Sequence, residues 1–269
     1  MLRVLFCNIN GKPLAEPLRQ LCDEHEVDLL VLSECSMPAE VLLPTLNRDS
    51  HRTFCGVFSL CERISLFSRL PPAAIMPVSD DTPYCSIHAV APPFGKEILL
   101  VAAHYPSKLH MSDSDQSHLM PRIAMQLQEA EARRGHTRTV FVGDLNMNPF
   151  ETGVCGSEGL HAVMCKRIAK REMRKVYGKE RRYFYNPMWN FLGDETRGPP
   201  GTYYYDSGRP TNYYWNTFDQ VLYRPALLED YRDHDVSTIT AVNGASLLRN
   251  GRLAREFSDH LPITFTVRT

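Results

Sequence analysis

The strongest constraint on this chain is a series of about ten short apolar runs, each of four to eight residues, that alternate in polarity or are apolar throughout. They lie at Arg3–Cys7, Asp28–Leu32, Phe54–Leu60, Ile64–Ser68, Tyr84–Ala91, Glu97–Ala103, Thr139–Val142, Phe218–Tyr223, Val236–Ile239 and Ile263–Val267. Such runs fold as strands. Between them stand two helical patterns. One places Leu14, Leu18 and Leu21 on a single face, and the other runs from Ser114 to Arg134 with Leu119, Ile123 and Leu127, with Gly135 as its stop. Strands outnumber helices, no Gly/Ser or Pro linker divides the sequence, and no period repeats. The expectation is one α/β domain over residues 1–269, with two mostly antiparallel or mixed sheets flanked by helices.

Composition removes several classes. With 43% hydrophobic and 23% charged residues, the chain is neither disordered nor a small disulfide scaffold. Thirty Lys+Arg against 31 Asp+Glu give a net charge of −1, so any surface for a polyanion must be local. No run approaches the roughly 18 apolar residues of a membrane span, and the first residues lead into a strand pattern without a signal-peptide layout, which predicts a cytoplasmic protein. The eight cysteines form no Cys-x-x-Cys pair and are expected as reduced, buried core thiols.

Polar residues appear where the apolar runs stop, which is where a sheet holds side chains rigidly at its rim. The first run ends in Asn8-Ile-Asn10, the second in Glu34, the run Ile98–Ala103 in His104, and Thr139–Val142 in Gly143-Asp144-Leu145-Asn146. Asp144 and Asn146 alternate with Leu145 and so point the same way from an extended segment. Asp219 lies inside a strand pattern, and Asp259-His260 precede the last one. Singly, each has an ordinary structural use as a cap, a turn or a satisfied core group. Jointly, carboxylates, imidazoles and amides at strand ends suit phosphate-ester hydrolysis: hard oxygen ligands for a divalent ion, a base for water, and donors for a phosphoryl oxygen.

The blocks Phe6-Cys-Asn-Ile-Asn10, Val27-Asp-Leu-Leu-Val-Leu-Ser-Glu34, Ala103-His-Tyr-Pro106, Val142-Gly-Asp-Leu-Asn146, Thr217-Phe-Asp-Gln-Val-Leu222 and Ser258-Asp-His-Leu-Pro262 span nearly the whole chain. In that order, the sequence resembles the endonuclease/exonuclease/phosphatase superfamily of deoxyribonuclease I-like and exonuclease III-like enzymes. The resemblance implies a four-layer α/β sandwich, with helices outside two packed sheets and the site at one rim. Carried over residue by residue, it makes Glu34 the principal Mg²⁺ or Mn²⁺ ligand, with Asn8, Asn10 and Asp259 on the metal side. Asp144 would orient or deprotonate the attacking water, and Asn146 would hold that water or the phosphate. His260, fixed by Asp219, would stabilise charge on the scissile phosphate, and His104 would donate to the phosphate or leaving oxygen. Two positions depart from the abasic-site and exonuclease III pattern: Asn10 replaces an aspartate, and Gln220 replaces a tyrosine after Asp219.

The segment Lys166–Arg182 carries nine basic residues against two acidic, a net +7. Read at about 100° per residue, it gives a basic helix within an insertion at about 158–182, with Lys166, Lys170 and Arg174 in one row and Arg171 in the next. Such a face suits a nucleic-acid backbone. The aromatic stretch 188–216 reads as a long loop whose rings, Tyr204 and Trp215 among them, stack unpaired bases. The resulting expectation is a metal-dependent phosphodiesterase acting on DNA or RNA and, by the resemblance, releasing a 3′-hydroxyl. Two other readings are compatible with the same residues: a phosphomonoesterase on a small substrate or phosphoinositide, and a catalytically silent nucleic-acid-binding module.

Overall fold

The structure, a computed structural model, describes residues 1–59, 61–79, 83–196 and 198–269; Leu60, at the end of the expected strand Phe54–Leu60, and Arg197, in the aromatic stretch, lie outside them. The chain begins with strand β1 (Leu2–Asn8), helix α1 (Ala15–Glu24), β2 (Leu29–Ser33), helix α2 (Ala39–Leu46), β3 (Cys55–Val57) and β4 (Ile64–Ser68). It continues through β5 (Ile75–Ser79), β6 (Cys85–Val90), β7 (Ile98–His104), the long helix α3 (Asp113–Arg134) and β8 (Thr139–Asp144). Short elements follow: α4 (Thr152–Cys155), β9 (Ala162–Val163), α5 (Lys166–Ala169), β10 (Met173–Val176), β11 (Lys179–Arg182), β12 (Phe184–Tyr185), β13 (Tyr203–Tyr205) and β14 (Tyr214–Asn216). The last part holds β15 (Asp219–Tyr223), β16 (Val236–Thr238), β17 (Ala241–Val242), β18 (Ala245–Ser246), β19 (Leu248–Arg249), β20 (Arg252–Leu253) and β21 (Ile263–Val267).

Two mixed sheets result, with strand orders β16-β21-β1-β2-β4-β3 and β5-β6-β7-β8-β15-β12-β9. The central strands β2, β7, β8 and β15 are buried on both faces, and the alternation of side chains assigns each residue to a layer. Val4, Phe6, Val31 and Leu66 of the first sheet meet Leu100, Ala102, Val140 and Val221 of the second. The opposite parity of the first sheet, Leu5, Cys7, Leu30 and Leu32, faces Leu18 and Leu21 of α1 and Leu42 and Leu46 of α2. On the far side, Leu99, Val101 and Phe141 face Met120, Ile123 and Leu127 of α3. Each such side chain contributes roughly 1.5–3 kcal/mol on burial. This is the four-layer α/β sandwich.

Local chemistry sets the limits of α3. Ser112 caps it by accepting from the Asp115 amide at 3.2 Å while the Asp115 carboxylate accepts from the Ser112 amide at 3.3 Å. Gly135, at φ 69°, ends it in the left-handed conformation. Near that end the Glu131 carboxylate accepts from Arg224 and from Thr139, each at 2.8 Å, which fastens helix to sheet through a buried ion pair.

Three expectations need correction. The basic segment is not a helix: α5 covers only Lys166–Ala169, Glu172 turns left-handed at φ 66°, and β10 and β11 pair as a hairpin. Tyr177 and Gly178, at φ 48° and 79°, close it with the two positive φ values that a two-residue turn with the strands' own twist requires. The aromatic stretch is not wholly a loop, because β13 and β14 pair within it. Of the cysteines, Cys7, Cys22, Cys61 and Cys85 are buried, whereas Cys55 and Cys165 are exposed; all eight are thiols.

Candidate active site

Both sheets bring strand ends to one rim. His104, Asp144 and Asp219 form a single row, because β7 pairs parallel to β8 with His104 opposite Asp144, and β15 pairs antiparallel with Asp219 opposite Asp144. Gly143 makes the approach of β7 to β8 possible, since a Cβ there would stand 2.0 Å from the Ala103 carbonyl oxygen. From the other sheet come Asn8, the last residue of β1, and Glu34, which follows β2 with φ 51°.

Asp144 is the hub. Its Oδ1 accepts from the Asn146 amide at 2.9 Å, and its Oδ2 accepts from Asn8 Nδ2 at 3.0 Å. The same Oδ2 lies 3.8 Å from Nε2 of both His104 and His260. The second proton of Asn8 Nδ2 goes to Glu34 Oε1 at 3.0 Å, and His104 Nε2 stands 3.4 Å from that oxygen. His260 Nδ1 is 2.8 Å from Asp219 Oδ2, which fixes the ring and leaves Nε2 facing Asp144. Asp219 Oδ1 is buried with no hydrogen-bond partner among the described residues.

The protonation pattern follows from this packing. The hydrogen bond with His104, aided by that from Asn8, takes Glu34 down to about 2 against the opposing effect of burial. Asp144 is pushed up, chiefly by burial and further by the Asp219 charge, while the neighbouring imidazoles oppose the rise. Burial alone would lower His260, but the charges of Asp219 and Asp144 outweigh it and raise the imidazole to about 10. At neutral pH the rim therefore holds an ionised Glu34 and a protonated His260, with Asp144 pushed above the usual carboxylate range between them.

The sequence matches the model of the endonuclease/exonuclease/phosphatase family over residues 5–260. The chain belongs to that family. Comparison with curated proteins finds no match. Among solved structures, an AP endonuclease from Archaeoglobus fulgidus superposes with TM-score 0.58 at 16% identity, covering 100% of both chains. D. rerio TDP2 complexed with a single-strand DNA product gives 0.56 at 20%, covering 100% of this chain and 99% of that one. A 3′ phosphatase from Neisseria bound to a product DNA hairpin gives 0.53 at 13%, covering 100% of both. At these identities the likeness is one of fold.

In this family member the structure gathers Asn8, Glu34, His104, Asp144, Asn146, Asp219 and His260. Asn146, at φ 50°, spends its amide on the Tyr105 carbonyl at 2.9 Å. Asn10 is exposed and reaches the cluster through its backbone, whose N–H donates to Asn8 Oδ1 at 3.0 Å. Asp259 is half-buried and belongs to neither of the compact carboxylate–imidazole groups among the described residues.

Other candidates are not at the point of chemistry. Tyr204 and Trp215 are cross-strand partners in edge contact at 5.3 Å, with Trp215 packed on the core under α1 and Arg252 over Tyr204. Alternation in the ribbon sends those two rings to the core side, and the exposed rings are Tyr205, Tyr213 and Tyr214. Lys166 pairs with Asp233 and Arg174 donates to His161, outside the carboxylate–imidazole cluster, and Lys170 and Arg171 are exposed. Arg182 of their segment shares a groove of about 470 Å³ with Glu131, Gly135, His136 and Thr137, beside the start of β8 rather than its catalytic end.

Sequence reasoning overlooked several supporting residues. Ser258 donates to the Asn8 carbonyl at 2.7 Å and accepts from the His260 amide at 3.2 Å, joining the first strand to the last. Tyr203 lies against the His260 ring, centroids 4.7 Å apart, and Thr202 accepts from the Asp219 amide at 3.2 Å. Ser258 begins a motif block already singled out; nothing in the sequence places Tyr203 or Thr202 here.

Proposed function

We propose that this protein is a divalent-metal-dependent phosphodiesterase that hydrolyses DNA or RNA, with water attacking phosphorus in line and a 3′-hydroxyl released. The observation that carries the reading is Asp144, a buried, basic carboxylate with the His104 and His260 imidazoles 3.8 Å away on either side. A base for water next to a cationic donor for a phosphoryl oxygen, here His260, is the pairing that phosphate-ester hydrolysis requires.

The donors fit a hard cation. Glu34, His104 and Asp144 place ligand atoms within 4.8 Å of one another, and the Glu34 side chain is 40% exposed at the rim and ionised. Mg²⁺ or Mn²⁺ there would be held by Glu34, with Asn8, Asn10 and Asp259 beside it, and would supply charge neutralisation on the phosphate. The protein's own groups divide the rest. Asp144 takes the proton of the attacking water, and the Asn146 amide bond keeps its Oδ1 aligned. His260, held protonated by Asp219, faces the developing negative charge, and His104 stands beside Glu34 to donate toward the phosphate or leaving oxygen.

Nucleic acid is favoured over a small substrate by the rings around the rim. Phe218, Tyr203 and Tyr205 stack in a row at 5.3 and 6.4 Å that leads from His260 to the surface, where Tyr205 is 52% exposed. A row of this kind offers a face to an unpaired base next to the scissile phosphate. The relatives of like fold point the same way, since they include an AP endonuclease and proteins bound to DNA products.

The test is cleavage of end-labelled single-stranded DNA, of duplex with and without an abasic site, and of RNA, in Mg²⁺ and in Mn²⁺. Cleavage that disappears in Asp144→Asn is the expected result. Hydrolysis of a generic phosphate ester with every polymer left intact would overturn the nucleic-acid assignment.

A further inference from the structure

The rim opposite the catalytic one carries the largest concentration of positive charge in the sequence. Lys166–Arg182 holds a net +7 in a chain whose total is −1, so the remainder carries −8. Some of these cations are committed: Lys166 pairs with Asp233 at 2.6 Å, Arg181 with Glu158 at 2.5 Å, and Arg174 donates to His161 at 3.0 Å. Arg167, Lys170, Arg171, Lys175 and Lys179 are exposed and make no hydrogen bond or ion pair among the described residues. Only Glu172 and Glu180 oppose them within the segment. At the tip of the β10–β11 hairpin stands Tyr177, 100% exposed, on a turn whose conformation the following glycine fixes. An exposed ring without apolar neighbours has no folding role, and like charges left unpaired around it cost stability by mutual repulsion.

We propose that this hairpin is a second nucleic-acid site, remote from catalysis, which holds a single-stranded segment of the same polymer whose scissile phosphate lies at Asp144. The proposal rests on the nuclease reading for its role but not for its binding chemistry. Two free cations on the hairpin, Lys175 and Lys179, and three just ahead of it, Arg167, Lys170 and Arg171, match a phosphate backbone, and the Tyr177 face matches an unpaired base. Geometry selects the single strand. The two rims are separated by at least the length of β8, about 17 Å at about 3.3 Å per residue. A polymer joining them must turn around the edge of the sandwich, which a flexible strand does and a duplex with a persistence length of about 150 base pairs does not. The site is therefore a tether that makes affinity depend on substrate length while leaving the chemical step untouched.

The experiment compares wild type with Lys175→Glu/Lys179→Glu and with Tyr177→Ala, all exposed tip positions, on single-stranded oligonucleotides of about 4 and about 40 nucleotides. Dissociation constants are measured in EDTA over a series of salt concentrations, and cleavage is measured separately with metal. The double variant should lose about tenfold or more in affinity for the long strand, and its log–log salt slope should flatten by about 1.4. Tyr177→Ala should lose affinity for the long strand without a change in slope. Affinity for the short strand, and its cleavage rate, should be unchanged in both. Equal losses on both lengths would overturn the tether, and so would long-strand binding that is indifferent to either variant, as expected of a surface built for an acidic protein. If wild type shows the hairpin-dependent slope yet cuts no polymer, the nuclease reading fails and the binding site stands. If it cuts both lengths equally in all variants, the tether fails and the nuclease stands.

Discussion

The two rims of the sandwich use charge in opposite ways. At the proposed catalytic rim Asn8, Asp144, Asp219 and His260 are nearly buried, and Asn8 with Asp144 and His260 with Asp219 are joined by hydrogen bonds. At the opposite rim Lys175 and Lys179 of the β10–β11 hairpin are exposed and make no hydrogen bond or ion pair among the described residues. Burial raises the effect of each charge and moves protonation equilibria, which suits bond making and breaking; exposure leaves charges at ordinary strength and reach, which suits holding a polymer. On the two proposals made above, one chain separates chemistry from grip by placing the first on strand ends and the second on a hairpin.

The sharpest way to break this division is Asp144→Asn, which keeps shape and removes the base. Turnover should fall roughly 10²–10⁴-fold with unfolding by denaturant unchanged within about 1 kcal/mol, as read by steady-state kinetics beside a urea melt. Near the other rim, Glu131→Ala should do the reverse. It strands the buried Arg224 guanidinium, so stability should drop by about 3–5 kcal/mol while the rate per folded molecule holds. A large loss of turnover at full folding would show that the far end does take part in chemistry.

Asp219→Asn tests how the near rim keeps His260 charged. The imidazole's folded value of about 10 lies above its unfolded value of about 6.5, so its ion pairs stabilise the protein fully below pH 6.5 and lose that contribution as pH rises through about 10. The variant should lower turnover roughly 10²-fold and bring the alkaline decline of the pH–rate profile to lower pH. An alkaline limb that stays in place would assign it to another group. The smallest effect is expected from Tyr205→Ala, a rise of about fivefold in KM for single-stranded substrate with kcat preserved. A fall in kcat instead would mean that the ring positions His260 through Tyr203.

The strands were legible because burial shows as continuous apolar runs in the central strands and as strict alternation where one face is half-buried; Ile64–Ser68 and the alternating Ile263–Val267 fall where the runs place them, and α3 ends at Gly135. So were the polar residues that gather at the rim, since a carboxylate such as Glu34 or Asp144 at the end of an apolar strand has few other reasons to be there. The hairpin was misread because basic residues spaced three and four apart mimic a helical row, whereas the deciding signal is local: Tyr177-Gly178 in a turn with positive φ. Tyr203 and Thr202 were illegible, and the role of Ser258 within its block was too, because their partners, His260, Asp219 and Asn8, are supplied by tertiary pairing rather than by neighbours in sequence.

That pairing has a temporal meaning. The last strand, β21, lies beside the first, β1, and Ser258 clasps the Asn8 carbonyl across a sequence separation of 250 residues. Contacts this distant along the chain close late. A polypeptide still being translated has already made Glu34, His104 and Asp144 but lacks the element that locks Asn8 and delivers His260. An unfinished copy therefore lacks both the fixed Asn8 and the second imidazole of the cluster.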